Sequence, residues 1–291
     1  MERARRSVVI TGASTGIGRA CALDLARSGW RVFAGVRQRT DAEALSAEVP
    51  GAIAPIEIDV TMAPSIAAAA EAVTRALDGE GLDGLVNNAG IGVTCPLEHV
   101  SQAELRREFE VNVFGQVAVT QAMLPLIRRA RGRIVNMGSI GAQIAMPFGG
   151  VLCATKSALR SLNDALRLEL RSYGIRVCLV EPASIRTPAV DKMLGDVEGV
   201  IGKLPPEGVA RYGDKLRAFT QRSYWRESHG SPPEVVARTV HLALTAPRPR
   251  ARYLVGANAS LLAALSRLPA HLLDLVRLRL FGLPTAFGSE P

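Results

Sequence analysis

The chain has 291 residues, 48% of them hydrophobic, which fits one large α/β domain or two small ones, and one is expected. Its net charge of +8 comes mainly from scattered arginines; with 4% aromatic residues, no lysine tract and no helix-turn-helix or RNA-binding signature, nucleic acid is not expected as a partner. Cys21, Cys95, Cys153 and Cys178 are far apart and lack metal-site spacing, so neither a metal centre nor a disulfide framework is indicated, and with no apolar leader before the first strand a cytoplasmic location is expected.

Val8, Val9 and Ile10 form a short β-branched run that predicts a strand buried on both faces. The turn T-G-A-S-T-G-I-G follows, with Gly12, Gly16 and Gly18, and helix formers run on from Arg19. Strand, glycine turn and helix aim a helix N-terminus at an anion, the usual arrangement for a nucleotide pyrophosphate. Arg31 to Val36 reads as the second strand, and the Arg37 and Arg39 at its end suit a ribose 2′-phosphate, whereas an acidic residue there would suit the free hydroxyls.

Ile53 to Ile58 reads as a third strand, weakened by Pro55, and Asp59 is placed to cap a helix beginning near Met62. After an alanine-rich helix, a strand from Leu82 to Val86 enters Asn87-Asn88-Ala89-Gly90. Ser101 and Glu104 form a capping box opening a long helix that carries Asn112. Arg133 to Met137 is a strand ending at Gly138-Ser139, where open α/β sheets place ligands, and a helix from Gly149 to Ser172 carries Lys156. Ile175 to Val180 is a further buried strand leading into Pro182-Ala183-Ser184-Ile185-Arg186-Thr187. Residues 189 to 230 are irregular in composition, with glycines, prolines and mixed charge, Ser231-Pro232-Pro233-Glu234 opens a helix, and Arg252 to Val255 is the last strand. The leucine-rich tail from Leu261 to Leu283 is broken by Pro269 and too charged to span a bilayer; it is expected to pack on the domain or in an oligomer, with peripheral membrane contact as the alternative.

Together the G-x-x-x-G-x-G turn, the Asp59-Val60 pair, N-N-A-G, Asn112, Ser139 and Lys156 resemble the short-chain dehydrogenase/reductase family of the classical type, over roughly residues 7 to 260. The resemblance implies a Rossmann-like doubly wound parallel α/β sheet forming a single domain, residues 1–260, with a variable substrate loop at about 189–230 and an amphipathic C-terminal extension at 261–291. The implied cofactor is NADP, with NAD as the alternative. The pyrophosphate would sit on Gly12, Ser14, Gly16, Ile17 and Gly18, the 2′-phosphate on Arg37, the adenine by Asp59 and Val60, and the cofactor's path along Asn87, Ala89 and Gly90. Lys156 would bind the nicotinamide ribose, with Pro182, Ile185 and Thr187 beside the nicotinamide and phosphates. Val36 stands where NAD-preferring relatives often carry Asp.

For catalysis the resemblance implies that Ser139 holds the substrate oxygen and that Asn112 bends its helix and binds a water linking Lys156 to solvent. The family pattern is Y-x-x-x-K, yet Leu152 stands four residues before Lys156, and its neighbours Val151 and Cys153 are not tyrosines either. Leucine neither donates nor accepts a proton. Cys153, Tyr212, Tyr224, or Ser139 with Lys156 and water are the substitutes. A second departure is Pro182-Ala183 where the family usually has Pro-Gly. The expected function is an NADP-dependent oxidoreductase acting on a small-molecule carbonyl or alcohol, in outline most like the branch that takes steroids, retinoids and other lipophilic compounds, and forming a homo-oligomer. Two alternatives stay open: a cofactor-binding protein or non-redox catalyst on the same fold, and a non-catalytic partner subunit.

Overall fold

A computed structural model describes residues 5–286. The strands are β1 (Ser7–Thr11), β2 (Arg31–Val36), β3 (Ile53–Glu57), β4 (Gly84–Asn87), β5 (Arg133–Met137), β6 (Arg176–Pro182) and β7 (Arg252–Val255). They form one sheet in the order β3-β2-β1-β4-β5-β6-β7, parallel throughout. Parallel neighbours need crossover helices, which cover both faces and explain why these strands read as unbroken apolar runs. The helices in chain order are α1 (Gly16–Arg27), α2 (Arg39–Glu48), α3 (Ala63–Leu77), α4 (Gln102–Phe109), α5 (Gly115–Ala130), α6 (Gly150–Glu169), α7 (Pro188–Leu194), α8 (Val197–Ile201), α9 (Pro206–Ser228), α10 (Pro233–Thr245), α11 (Ala259–Leu265) and α12 (Ala270–Phe281).

The strand period of two divides the core into two layers. Val8 and Ile10 point to the side packed by α1 and α10, with Val86, Val135 and Val180. Val9 points to the other side, with Phe33, Leu85, Ile134 and Val177 under α3 and α5. The sheet is therefore doubly wound, and the chain order reverses between β1 and β4. That switch point brings the ends of β1, β4, β5 and β6 to one rim of the sheet, where Gly12, Asn88, Ser139 and Ala183 follow their strands.

One expectation is overturned and two are refined. Pro55 does lie in a ladder, opposite Ala34, because β3 is the edge strand and one of its sides has no partner to lose. Asp59 does not cap α3: its Oδ1 instead accepts from the Thr61 amide and hydroxyl, and Met62 stands at the cap without a side-chain bond. Residues 189–230 are mostly helix, since α7, α8 and the 23-residue α9 fill them.

The C-terminal helices pack on the domain: α12 lies on α9, and Phe281 is buried against Phe219 with ring centres 5.0 Å apart and the Arg226 guanidinium 4.7 Å above its ring. Phe281→Ala should accordingly lower the unfolding free energy by about 3–5 kcal/mol, read from denaturant midpoints at unchanged slope. A loss below about 0.5 kcal/mol, the range of surface substitutions, would mean that α12 does not hold this face.

Candidate active site and nucleotide cradle

The turn after β1 is held from both sides. Asn88 Nδ2 donates to the Thr11 carbonyl at 3.0 Å and to the Gly12 carbonyl at 3.1 Å, while Thr11 Oγ1 accepts from the Asn88 and Ala89 amides, each at 3.0 Å. Gly12 has φ +63°, a region where side chains other than glycine's are strained, and a Cβ there would lie 2.9 Å from Ala89 Cα. A Cβ on Gly18 would fall onto the Gly12 carbonyl oxygen and 2.5 Å from Asn88 Nδ2.

This geometry fixes the start of α1, where Thr15 makes no side-chain cap bond and the first turn has no acidic residue. Its first-turn amides therefore face outward without a side-chain partner, as an anion site requires. Ser14 and Ile17 are half-buried in the turn, and Thr187 packs on Gly16, whose Cβ position is 3.2 Å from Thr187 Cβ. Thr187 also lines a cleft of about 310 Å³ with Arg186, Pro188, Val190, Asp191, Tyr224 and Ser228. A dinucleotide fits this cradle, because it leaves the backbone bare where a pyrophosphate must come close.

Beyond the turn, Val36 is buried and Arg37 exposed. The Asp59 carboxyl is held below its ordinary pKa chiefly by the two Thr61 hydrogen bonds, with the nearby Arg37 charge adding to them. The side chain of Arg39 lies outside the described residues. Val60 and Ile185 are set into the two core layers, and the Ile185 amide donates to the Glu227 carboxylate. Pro182 ends β6, and the Ala183 amide donates to the Val255 carbonyl at 2.9 Å.

The second half of the site rests on a buried amide network. Asn87 Nδ2 donates to Thr120 Oγ1 and Asn136 Oδ1, both at 2.8 Å, and Asn136 Nδ2 donates to Asn163 Oδ1 of α6 at 3.0 Å. Buried amides that lose a partner cost about 1–3 kcal/mol, so this chain fixes α6 against β4 and β5. Lys156 is thereby placed with its Nζ donating to the Met137 carbonyl at 2.8 Å. Burial pulls its pKa down to about 8, opposed by the charge of Glu108. An ammonium has three donors, so one carbonyl does not exhaust it. Ser139, one residue past Gly138, accepts from the Gly141 amide at 3.0 Å and keeps its own proton to give.

Asn112 sits in a π-helical turn, Glu110–Phe114, between α4 and α5. Its Oδ1 accepts from the Ile91 amide at 2.9 Å, and its Nδ2 donates to the Ile91 carbonyl at 2.8 Å and to Thr155 Oγ1 at 3.0 Å. Thr155 in turn donates to the Leu152 carbonyl at 2.7 Å. Gly90 brings the two groups together: its Cβ position is 3.2 Å from Asn112 Oδ1 and 3.7 Å from Lys156 Nζ. Ala89 is tied in by a bond from Gln116 Nε2 to its carbonyl.

Leu152, one helical turn before Lys156, presents Cδ2 3.1 Å from the Cβ position of Gly92, where the Met193 sulfur also lies. The candidate substitutes are differently placed. Tyr212 donates to Glu98 at 2.6 Å and Tyr224 to Asp191 of α7 at 2.9 Å, so both hydroxyls are held by carboxylates. Cys153 is buried beside Gly141, and burial raises its thiol pKa. Beyond lies an apolar crevice too tight to admit a water molecule, lined by Thr94, Met193, Leu194, Val197, Val200, Leu216 and Thr220.

The residue that the sequence reading passed over is Glu108, only 2% exposed, whose Oε1 accepts from the Val93 amide at 2.5 Å. A signal for it existed: Glu108, Asn112, Gln116 and Thr120 recur every four residues, and all four are buried.

Residues 6–197 match the short chain dehydrogenase family. Human retinol dehydrogenase 16 is 34% identical over 275 residues, covering 92% of this chain and 86% of that protein. An NADPH-dependent 3-dehydrocapnine reductase from Ornithobacterium rhinotracheale is 32% identical over 275 residues, covering 92% of this chain and 95% of that one. Among solved structures, a short-chain dehydrogenase from Streptomyces avermitilis superposes with a TM-score of 0.76 at 30% identity, covering 96% of each chain. With the sheet order, the glycine cradle and the buried lysine already in place, these matches establish that the chain belongs to the short-chain dehydrogenase/reductase family of oxidoreductases.

Proposed function

We propose that the chain is an NADP-dependent oxidoreductase that interconverts a carbonyl and an alcohol on a lipophilic small molecule, with a proton step altered because Leu152 stands where the family's tyrosine would act. The observation that carries this reading is that an uncapped glycine cradle and a buried Lys156 ammonium share one rim of the sheet. When bound, the nicotinamide exchanges a hydride with the substrate carbon.

In this reading the first-turn amides of α1, with Gly12, Ser14, Gly16, Ile17 and Gly18, hold the pyrophosphate, and Thr187 closes over them. Arg37 pairs with the 2′-phosphate, since Val36 offers no carboxylate to the ribose. Asp59 and Val60 border the adenine, with Asn87, Ala89 and Gly90 forming the floor. Pro182 and Ile185 back the nicotinamide. Lys156 holds the nicotinamide ribose and Ser139 donates to the substrate oxygen, while Asn112 keeps the Ile91 loop and α6 in register. A relative named for retinol supports a lipophilic substrate, and the apolar side chains of Met193, Leu194, Val197 and Leu216 pack closed on one another beside the site.

The domain proposed is 1–260 with the 261–291 extension packed on it. A homo-oligomer joined through its long helices is part of the same reading, supported by exposed Phe114, Leu162 and Leu168 on α6 and the turn before α5. A cytoplasmic location belongs to it too; no described helix is long and apolar enough to cross a membrane. One observation favours a second reading, in which the dinucleotide is bound without redox turnover: Leu152, Gly92 and Met193 close the place beside Lys156 with hydrocarbon and sulfur.

Calorimetry with NADPH and NADH tests the cradle, and loss of reduced-nicotinamide absorbance with a panel of retinaldehyde, a ketosteroid and a medium-chain aldehyde tests turnover. NADPH binding with no absorbance change on any member supports the second reading, and no affinity for either nucleotide removes both. Arg37→Asp should weaken NADPH binding by about 10- to 100-fold, the worth of a charged hydrogen bond of about 1.5–3 kcal/mol, while sparing NADH. Because burial lowers the Lys156 pKa, its positive charge is present below about 8 and lost above it. Nucleotide affinity should therefore fall as pH rises through 8, and this fall should vanish in Lys156→Met.

A further inference from the structure

We propose that Glu108 is the proton-exchanging group of this site: it gives a proton to the substrate oxygen in reduction and takes one from it in oxidation. The inference rests on the oxidoreductase reading above, and it supplies the group that Leu152 cannot be.

The geometry begins with the carboxyl itself. Glu108 is 2% exposed; Oε1 is bound by the Val93 amide, and Oε2 is buried with no hydrogen-bond partner among the described residues. A buried carboxyl oxygen without a partner costs free energy, which a hydrogen bond from a ligand's polar atom would recover. The segment it holds is the wall of the site. Asn112 grips Ile91 by both amide and carbonyl, Leu152 and Met193 lie on Gly92, Glu108 holds Val93, and Thr94 lines the apolar crevice. The Glu108 carboxyl and the Leu152 side chain therefore meet adjacent residues of one strip of backbone. On the α6 side stands Lys156, close enough for the two charges to stabilise each other.

The other candidates are worse placed, since Tyr212 and Tyr224 donate to Glu98 and Asp191 and the Cys153 thiol is buried against Gly141. A carboxyl donates only when protonated, and burial raises the Glu108 pKa to about 7. Glu104 on the same helix raises it further, while the Val93 amide and Lys156 oppose the rise. Cys153 of α6 also faces it and in turn feels Arg277 of α12. Near neutral pH the acid and its conjugate base are both populated, as a group exchanging protons in both directions needs.

The step balances as follows. In reduction the carbonyl carbon gains hydride, with its electron pair, from a reduced nicotinamide dinucleotide. The carbonyl oxygen forms its O–H bond with the Glu108 proton, whose bond to the carboxyl breaks. The alcohol leaves, the nicotinamide is left oxidised, and the carboxylate regains a proton from water. Oxidation runs the same exchange in reverse.

The first test needs neither nucleotide nor turnover. Infrared difference titration of the nucleotide-free protein should show a protonated carboxyl that ionises near pH 7 and is missing in Glu108→Gln. If that band is absent, or persists in Glu108→Gln, the proposal falls. Glu108→Gln keeps an oxygen for the Val93 amide, so it should fold and, at pH 6, where Lys156 stays charged, bind NADPH with unchanged affinity by calorimetry. With the carbonyl panel its kcat should fall on the order of 10²-fold or more at unchanged KM, and the wild-type decline in reduction rate as pH rises through 7 should disappear. Glu108→Asp should retain that decline. Adding Leu152→Tyr to Glu108→Gln should restore rate, because a phenol then stands one turn from Lys156.

A Glu108→Gln enzyme with wild-type rate and pH profile overturns the proposal, as does a double variant that binds NADPH yet stays slow, which marks Glu108 as structural. Wild-type protein that binds NADPH but reduces nothing in the panel overturns the oxidoreductase reading instead, and the infrared titration still decides the state of Glu108.

Discussion

The backbone passes itself more closely at Gly18 than any side chain permits, and most of the molecule follows from that one approach. With no Cβ in the way, the first turn of α1 lies directly on the Gly12 carbonyl, and Asn88 reaches across to the Thr11 and Gly12 carbonyls. Strand β4 is thereby pinned to β1 at the point where the order of the strands reverses, and the N-terminus of α1 is aimed along the rim. An N-terminus so placed must leave its amides to water or to an anion, because no side chain of the turn caps them. The same constraint sets where Asn87 stands, and the amide chain from Asn87 through Asn136 to Asn163 carries the placement on to α6. Cradle and lysine are positioned by one continuous set of polar contacts.

Where local pattern and tertiary environment agree, the chain could be read directly. Val8 to Ile10, Arg31 to Val36 and Arg133 to Met137 are strands because their β-branched runs are buried on both faces, and the Ser101 capping box opens α4, with Ser101 Oγ accepting from the Glu104 amide at 3.1 Å. Reading was weaker where the deciding fact was non-local. Pro55 is acceptable only because β3 is an edge, which no window of sequence reveals. Asp59 had a nearer partner in Thr61 than the helix it was expected to cap. Helix α9 is rich in charge and carries Gly208 and Gly213, so its propensity is modest; it is held by Leu216 and Phe219 packing on α8, α7 and α12. The site residues were legible as motifs, whereas Glu108 looked like one more charge in R-R-E-F-E.

Its burial has a geometric origin. In a regular α-helix four residues turn through about 400°, so positions four apart drift by roughly 40° at each step. Glu108, Asn112, Gln116 and Thr120 would drift by roughly 120° overall, carrying one end of the stripe toward solvent. The π turn at Glu110–Phe114 is wider and takes back part of that rotation, which keeps all four on the inner face. The distortion that lets Asn112 meet both Ile91 and Thr155 is thus also what keeps Glu108 inside.

A carboxyl and an ammonium enclosed together face opposing demands. Burial disfavours each charge separately, raising Glu108 and lowering Lys156, while their mutual attraction favours both charges at once. Had attraction dominated, Glu108 would sit well below neutrality and Lys156 well above it, an inert pair. Desolvation dominates in both, so the groups titrate near 7 and 8 and neither is locked in one protonation state. Hydrocarbon at Leu152, whose Cδ2 packs on Gly92 next to the Val93 that Glu108 holds, keeps polar groups out of the same strip of backbone. The apolar residue beside Lys156 and the carboxyl that titrates near neutrality are, on this argument, two consequences of one dry interior.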